Sequence, residues 1–254
     1  MDATTLCLHD SAMRHDSPGQ LFSVFHAGER FDLCLLHALH ERHPRDLVIA
    51  HDHTHEVYHV VLFLAGDNTF SLRGETHEAV PGVLALASPG EPHEFRPRRP
   101  GGVEYLEATF ELRSPRRSLT LPWPRLLELW FGGSCPELAT PTRPPAGLRH
   151  QLAAALAALG RVLAEPGIDA PFARARALLD LAWLLPRACG RDHAIEPLPL
   201  RLQRVARHLD AHFMRRTTVP ELARMAGLSP SRFARAFAAA FGLPPIDYLI
   251  ERRL

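Results

Sequence analysis

Lysine is absent from the 254 residues: all 29 basic side chains are arginine, a choice that reflects a GC-rich genome rather than a chemical need. Cysteine is scarce. Cys7, Cys34, Cys135 and Cys189 stand far apart with no Cys-x-x-Cys pair. That argues against a zinc knuckle or a dithiol redox motif and leaves reduced thiols in a core as the expectation. No apolar run reaches the roughly 18 residues of a membrane span. The opening MDATTLCLHDSAMRHD lacks the charged-then-apolar layout of a secretory signal. A cytoplasmic protein with no membrane partner is expected. A strong charge bias is missing too: the formal net charge is +1, with 46% hydrophobic and 22% charged residues, a globular composition. The length suits one large or two medium domains with a buried core.

That near-neutrality conceals two unlike parts. Residues 201–254 hold ten Arg against four acids (Asp210, Glu221, Asp247, Glu251), a balance of +6, whereas residues 1–200 hold nineteen Arg against twenty-four acids, a balance of −5. An anionic partner is expected for the C-terminal end. From about residue 20 to 112, short apolar runs (LFSVF, FDLCLL, VYHVVLFLAG, TFSLRG, VPGVLALASPG, VEYLEATFEL) are separated by turn residues. They predict an antiparallel sandwich or barrel. Residues 113–145, rich in Pro and Arg, read as irregular connection. From Gly147 to Glu165, Leu148, Leu152, Leu156, Leu159, Val162 and Leu163 recur at helical spacing, and a second helix is predicted from Phe172 to Leu185. The pair either packs on the β region or offers its wide apolar stripe to a second copy. GRDHAIEPLPL, at 190–200, reads as a linker. The expected domains are 1–145, mainly β; 146–189, the helical pair; and 201–254, all α.

The segment TVPELARMAGLSPSRFARAFAAAFG (218–242) is the most specific. Thr218 with Glu221 three residues on has the form of a capping box, and Pro220 suits a first helical turn. Gly227 supplies the left-handed stop. Ser229 is a second N-cap, with Pro230 at the first helical position. Two short helices about a Gly-containing turn are the layout of a helix-turn-helix. At 100° per residue, Phe233, Phe237, Ala240 and Phe241 share the core side of the second helix. Ser231, Arg235 and Ala238 point nearly opposite, with Arg232 and Ala234 on the flanks. Such a face suits a major groove, where Arg pairs with guanine and Ala meets a thymine methyl. Arg235 and Ser231 are the expected base readers, Ala234 an apolar base contact and Arg232 a phosphate contact. The alternative is an ordinary amphipathic helix with solvated arginines.

ELARMAGLSPSRFARAFAAAFGLPPIDYLIERRL resembles the first half of the DNA-binding domain of AraC-type (AraC/XylS) transcription regulators, matching their LA…GLS…F…F…G…P…YL…RR pattern. The resemblance implies a cupin-like (jelly-roll) effector-binding domain ahead of the DNA reader, a dimer, a promoter as partner and a small-molecule effector. It also implies a second helix-turn-helix, which the 254 residues do not include, so an incomplete DNA-binding domain is expected. With one reading helix there are few phosphate contacts, and affinity falls steeply with their number.

In HDHTHEVYH (51–59), four imidazoles occupy alternate positions. As one strand, His51, His53, His55, Val57, His59, Val61 and Phe63 would share a face. The similarity to cupins gives that face a meaning, since cupin metal sites follow His-x-His-x(3,4)-Glu…Gly with a further His later. His53 and His55 match the pair, and His59 stands where the Glu would be. Gly66 follows, and Gly82, Pro89, Gly90 and His93 match the later part, with one extra residue between Gly82 and Gly90. His53, His55, His59 and His93 therefore form either a site for a divalent metal (Zn, Fe, Ni or Mn), which imidazole suits, or a metal-free effector pocket, or a plain structural feature. His51 is expected at the solvent end of the strand. Phe63, Phe95, Tyr58 and Trp123 are pocket or core aromatics, core being the simpler reading. The expected function is a ligand-responsive transcription regulator, not an enzyme. The rival is a metal-dependent cupin enzyme (dioxygenase or isomerase class) with an appended helical domain, and a third reading is a chain that acts only through dimerisation.

Overall fold

A computed structural model describes residues 23–49, 51–131, 138–164, 167–190 and 198–253. Eight strands come first: β1 Ser23–His26, β2 Glu29–His43, β3 Tyr58–Gly66, β4 Asn68–Leu72, β5 Glu75–Ala79, β6 Leu84–Ala87, β7 His93–Glu94 and β8 Val103–Arg113. They pair antiparallel in a five-stranded sheet, β1-β2-β8-β3-β6, and a three-stranded sheet, β5-β4-β7. Two-residue turns with positive φ, Ala27–Gly28 (49° and 77°) and Arg73–Gly74 (54° and 76°), close the β1-β2 and β4-β5 hairpins. Their backbone twist matches that of the flanking strands.

Alternation along β3 explains the architecture. Tyr58, Val60 and Leu62 face one apolar cluster, shared with helices, while Val61 and Phe63 face another, which holds Phe70 and Leu72 of β4 together with Phe95. The five-stranded sheet is thus buried on both faces, which is why its central strands read as continuous apolar runs. Its outer face is covered by α1 Trp123–Phe131, α2 Ala146–Ala164 and α3 Ala170–Ala188. α2 comes so close to β2 that a Cβ on Gly160 would lie 3.1 Å from the carbonyl oxygen of Ala38.

α4 Leu198–Ala211, α5 Val219–Ala226, α6 Pro230–Phe241 and α7 Pro245–Glu251 share a separate core around Leu202, Val205, Leu209, Leu222, Phe233, Phe237 and Leu249. The Thr218–Glu221 capping box forms, and Gly227 adopts φ 67°. Ser229 occupies the N-cap of α6 without a side-chain cap hydrogen bond.

Several expectations are corrected. The stretch 51–63 is not one strand: β3 starts at Tyr58, and the preceding residues make one isolated backbone bridge, His53 to His93. A run of alternating polar side chains has no apolar face to bury, so pairing stops there. The supposedly irregular 113–145 contains α1, because Pro122 and Pro124 sit at its start, where proline is tolerated. β5 escaped notice because ETHEA is polar, yet His77, Glu78 and Ala79 are buried. α4 begins at Leu198, inside the expected linker, whose residues 191–197 lie outside the described residues. Ala240 is exposed rather than core. Cys34 is half-buried and Cys189 is buried; Cys7 and Cys135 lie outside the described residues. No helix among the described residues is long and apolar enough to cross a membrane.

Candidate functional site

The irregular segment before β3 and the short strand β7 bring the four imidazoles together. One ring nitrogen from each of His53, His55 and His93 lies within 4.8 Å of the other two. His59, on the inward face of β3, adjoins them: its Nε2 is 3.2 Å from His55 Nδ1, and its ring centroid is 4.5 Å from that of His93. His51 is exposed, outside the cluster.

Oxygens behind three of the rings set their orientation. His93 Nδ1–H donates to the carbonyl of Glu91 at 2.8 Å, so Nε2 carries the lone pair. That nitrogen is buried and has no hydrogen-bond partner among the described residues. His59 Nδ1 lies 2.6 Å from Glu107 Oε1, which again turns Nε2 toward its neighbours. His53 Nδ1 is 3.4 Å from Glu94 Oε2, a carboxylate also held by Arg96 at 2.6 Å. Carboxylate or carbonyl oxygens behind inward-facing imidazoles are the outer arrangement that fixes ring tautomer and raises donor strength at metal centres. Phe95 stacks on His93 with centroids 5.1 Å apart and closes the inner side.

Electrostatics keep His55, His59 and His93 neutral, as ligands must be. Burial, with the neighbouring imidazoles adding to it, lowers His55 and His93 to about 4. Burial first, then His37 and His53, lowers His59 to about 3. Burial raises the carboxyl of Glu107. Burial opposes ionisation of Glu94 as well, but hydrogen bonds from His53 and Arg96 outweigh it and hold that group at about 2.

Glu91, Glu94 and Glu107 were not singled out from the sequence. For Glu107 a signal existed: in VEYLEATFELR, Leu106, Ala108 and Phe110 alternate with Tyr105, Glu107 and Thr109. Both sets are buried or nearly so, and a carboxylate on a buried face needs a partner. Of the four aromatics named above, Tyr58, Phe63 and Trp123 are core and only Phe95 touches the imidazoles.

The expected DNA-reading residues fall on α6. Ser231 and Arg235 are exposed and Ala234 is half-buried. Arg232 is only 8% exposed, its guanidinium turned onto the β region.

The model of the AraC-like ligand binding domain family matches residues 36–215. No curated protein matches the sequence. Among solved structures, the AraC-like transcriptional activator CuxR is 14% identical, with 88% of this chain and 74% of that chain covered at a TM-score of 0.31. ToxT from Vibrio cholerae is 8% identical, with 87% and 98% covered at a TM-score of 0.26.

Proposed function

We propose, from the premise that this chain belongs to the AraC-like ligand-binding domain family, that it is a ligand-responsive transcription regulator whose sensor is the imidazole cluster and whose DNA reader is α6. A divalent metal held by His53, His55 and His93, with His59 as fourth nitrogen, is the first element of that sensor. The observation that carries this reading is the bare, buried Nε2 of His93: left unpaired, such a nitrogen costs about 1–3 kcal/mol. A metal ion satisfies it, and the oxygens behind His93, His59 and His53 are the supports such a site uses. A small-molecule effector would then act by binding one arrangement of the domains more tightly than another.

The remaining parts of the proposal follow the same division. Residues 1–145 form the sensor, 146–189 the dimer-forming pair, and 201–254 the promoter-binding unit. Exposed Leu179 and Trp183 on α3 support the pair as a homodimer face. On α6, exposed Ser231 and Arg235 support base reading, with Ala234 beside them.

Elemental analysis of untagged protein, purified without nickel resin, tests the sensor alongside His55→Ala and His93→Ala variants. One metal per chain, lost in both variants, is expected. No metal after incubation with Zn, Fe or Mn would leave the cluster as the lining of a metal-free effector pocket. One observation favours a second reading, a metal-dependent cupin enzyme: Glu107 brings to the cluster a carboxylate that the motif itself lacks. Consumption of an oxidisable substrate by iron-loaded protein would select that reading.

A further inference from the structure

Arg232 leaves its own helical unit and ends among oxygens of the β region. Its Nη2–H donates to the carbonyl of Asn68 at 2.9 Å. Its Nη1 lies 2.9 Å from Asp67 Oδ1 and its Nε 3.1 Å from Glu78 Oε1. Register explains why these oxygens converge: Asn68 pairs with Ala79 and Thr69 with Glu78, so all three residues stand at one end of the β4-β5 ladder. A second arginine completes the junction. Arg201, on α4, bonds the other oxygen of Glu78, and its Nη1 donates to the carbonyl of Ala226 at the end of α5 at 2.8 Å. Arg235 is farther off, 4.0 Å from Asp67.

A guanidinium has five N–H donors in a fixed fork and binds a phosphate with the same edges that bind carboxylates. Arg232 turns its hydrogen bond and both of its ion pairs onto the β region and is almost wholly buried, so a DNA phosphate cannot reach it in this arrangement. Because it sits in the first turn of α6, holding it also presses that end of the helix against the acidic ladder. Asp67 and Glu78 also set negative charge directly beside Arg232, which would repel a phosphate approaching that arginine.

We infer that Asp67, Glu78 and the carbonyl of Asn68 form an internal anion pocket that competes with the DNA backbone for Arg232, so that the arrangement seen here is the DNA-excluding one. The inference rests on the reading of α6 as a DNA helix. It also supplies that reading with a regulatory connection. β4 carries the pocket at one end and pairs at the other with β7, where Leu72 meets His93 and Ser71 meets Glu94. Glu78 adjoins His77 on β5 of the same sheet. The imidazole cluster and the anion pocket thus share one three-stranded sheet, and a shift of β7 on ligand binding would be felt where Arg232 is held.

The test uses the full chain and a labelled 20-base-pair duplex at fixed salt. Asp67→Asn and Glu78→Gln each remove one charge from the pocket, and Asp180→Asn, on α3, removes one elsewhere as a control for net charge. Binding about fivefold or more tighter in the two pocket variants than in the control is expected. The gain should vanish when Arg232→Ala is added, and small-angle scattering of the DNA-free pocket variants should show a larger radius of gyration. Glu78 is buried, so its variant may be read only if circular dichroism is unchanged; Asp67, 58% exposed at its side chain, carries the test otherwise. Equal binding by Asp67→Asn and Asp180→Asn, both clearly retained on DNA, would overturn the pocket and leave the DNA reading standing. Binding by none of the chains would overturn both.

Discussion

Both ring nitrogens of His77 are buried, the carboxylate of Glu75 being 3.7 Å away. Burial depresses this imidazole to about 4, against opposition from Glu75 and the Leu72 backbone and with help from Arg73 and Arg201. In the unfolded chain the ring titrates near 6.5. Between those values the unfolded chain holds a proton that the folded one refuses, so His77 reduces stability as pH falls from about 6.5 to about 4 and has no such effect above that window. Replacing it by Met should make the acid limb of a melting-temperature profile shallower across that window and leave the profile above pH 7 parallel to wild type; an unchanged acid limb would contradict the assignment. Phe237 illustrates the apolar counterpart. Fully buried and in contact with Phe233, Phe241 and Tyr248, it should cost about 3–5 kcal/mol when cut to Ala. Urea unfolding of the C-terminal helices, followed by far-ultraviolet circular dichroism, would measure that loss.

At the scale of elements, α2 offers a paired comparison. Gly→Ala inside a helix ordinarily stabilises by up to about 1 kcal/mol. Gly147 has open space around it and should show a gain of that sign, whereas a methyl on Gly160 meets the Ala38 carbonyl at 3.1 Å and should lower the melting temperature instead. Removing the cap of α5 with Thr218→Ala should cost about 1 kcal/mol, because it leaves the Glu221 amide without its acceptor. These helices were legible in the sequence because each carries local signals: a 3.6-residue apolar period, a capping box, a glycine stop. The same reasoning failed on the β side wherever partners lie far away in sequence. HDHTHE has strand-like alternation, yet only contact with β7 decides that His53 forms a lone bridge. ETHEA looks like a turn until its pairing with β4 buries it. The imidazoles were therefore found for a reason independent of their backbone. Residue type and spacing marked His53, His55, His59 and His93, while the carbonyl and carboxylates that orient them come from β7, its approach and β8 and are silent in any one stretch.

For the molecule as a whole, the opposite charges of the two ends acquire a physical meaning at the β4-β5 ladder, where acids of the N-terminal part hold Arg201 and Arg232 of the C-terminal part. The proposed dimer leaves its own mark at this scale. Leu179 and Trp183 are 56% and 52% exposed on α3. Leu179→Glu combined with Trp183→Glu should shift sedimentation from dimer to monomer without altering far-ultraviolet circular dichroism; a wild-type chain that already sediments as a monomer at all concentrations would remove that surface from the account.

One last consequence belongs to β3. Tyr58 turns outward, its hydroxyl donating to the carbonyl of Leu121 just ahead of α1, and the very next residue, His59, turns inward to the imidazoles. Imidazole face and helical face are separated by a single peptide unit. Under the proposed function the strand would act as a diaphragm: a ligand that dents it from the imidazole side would bulge it on the other, directly against the helices.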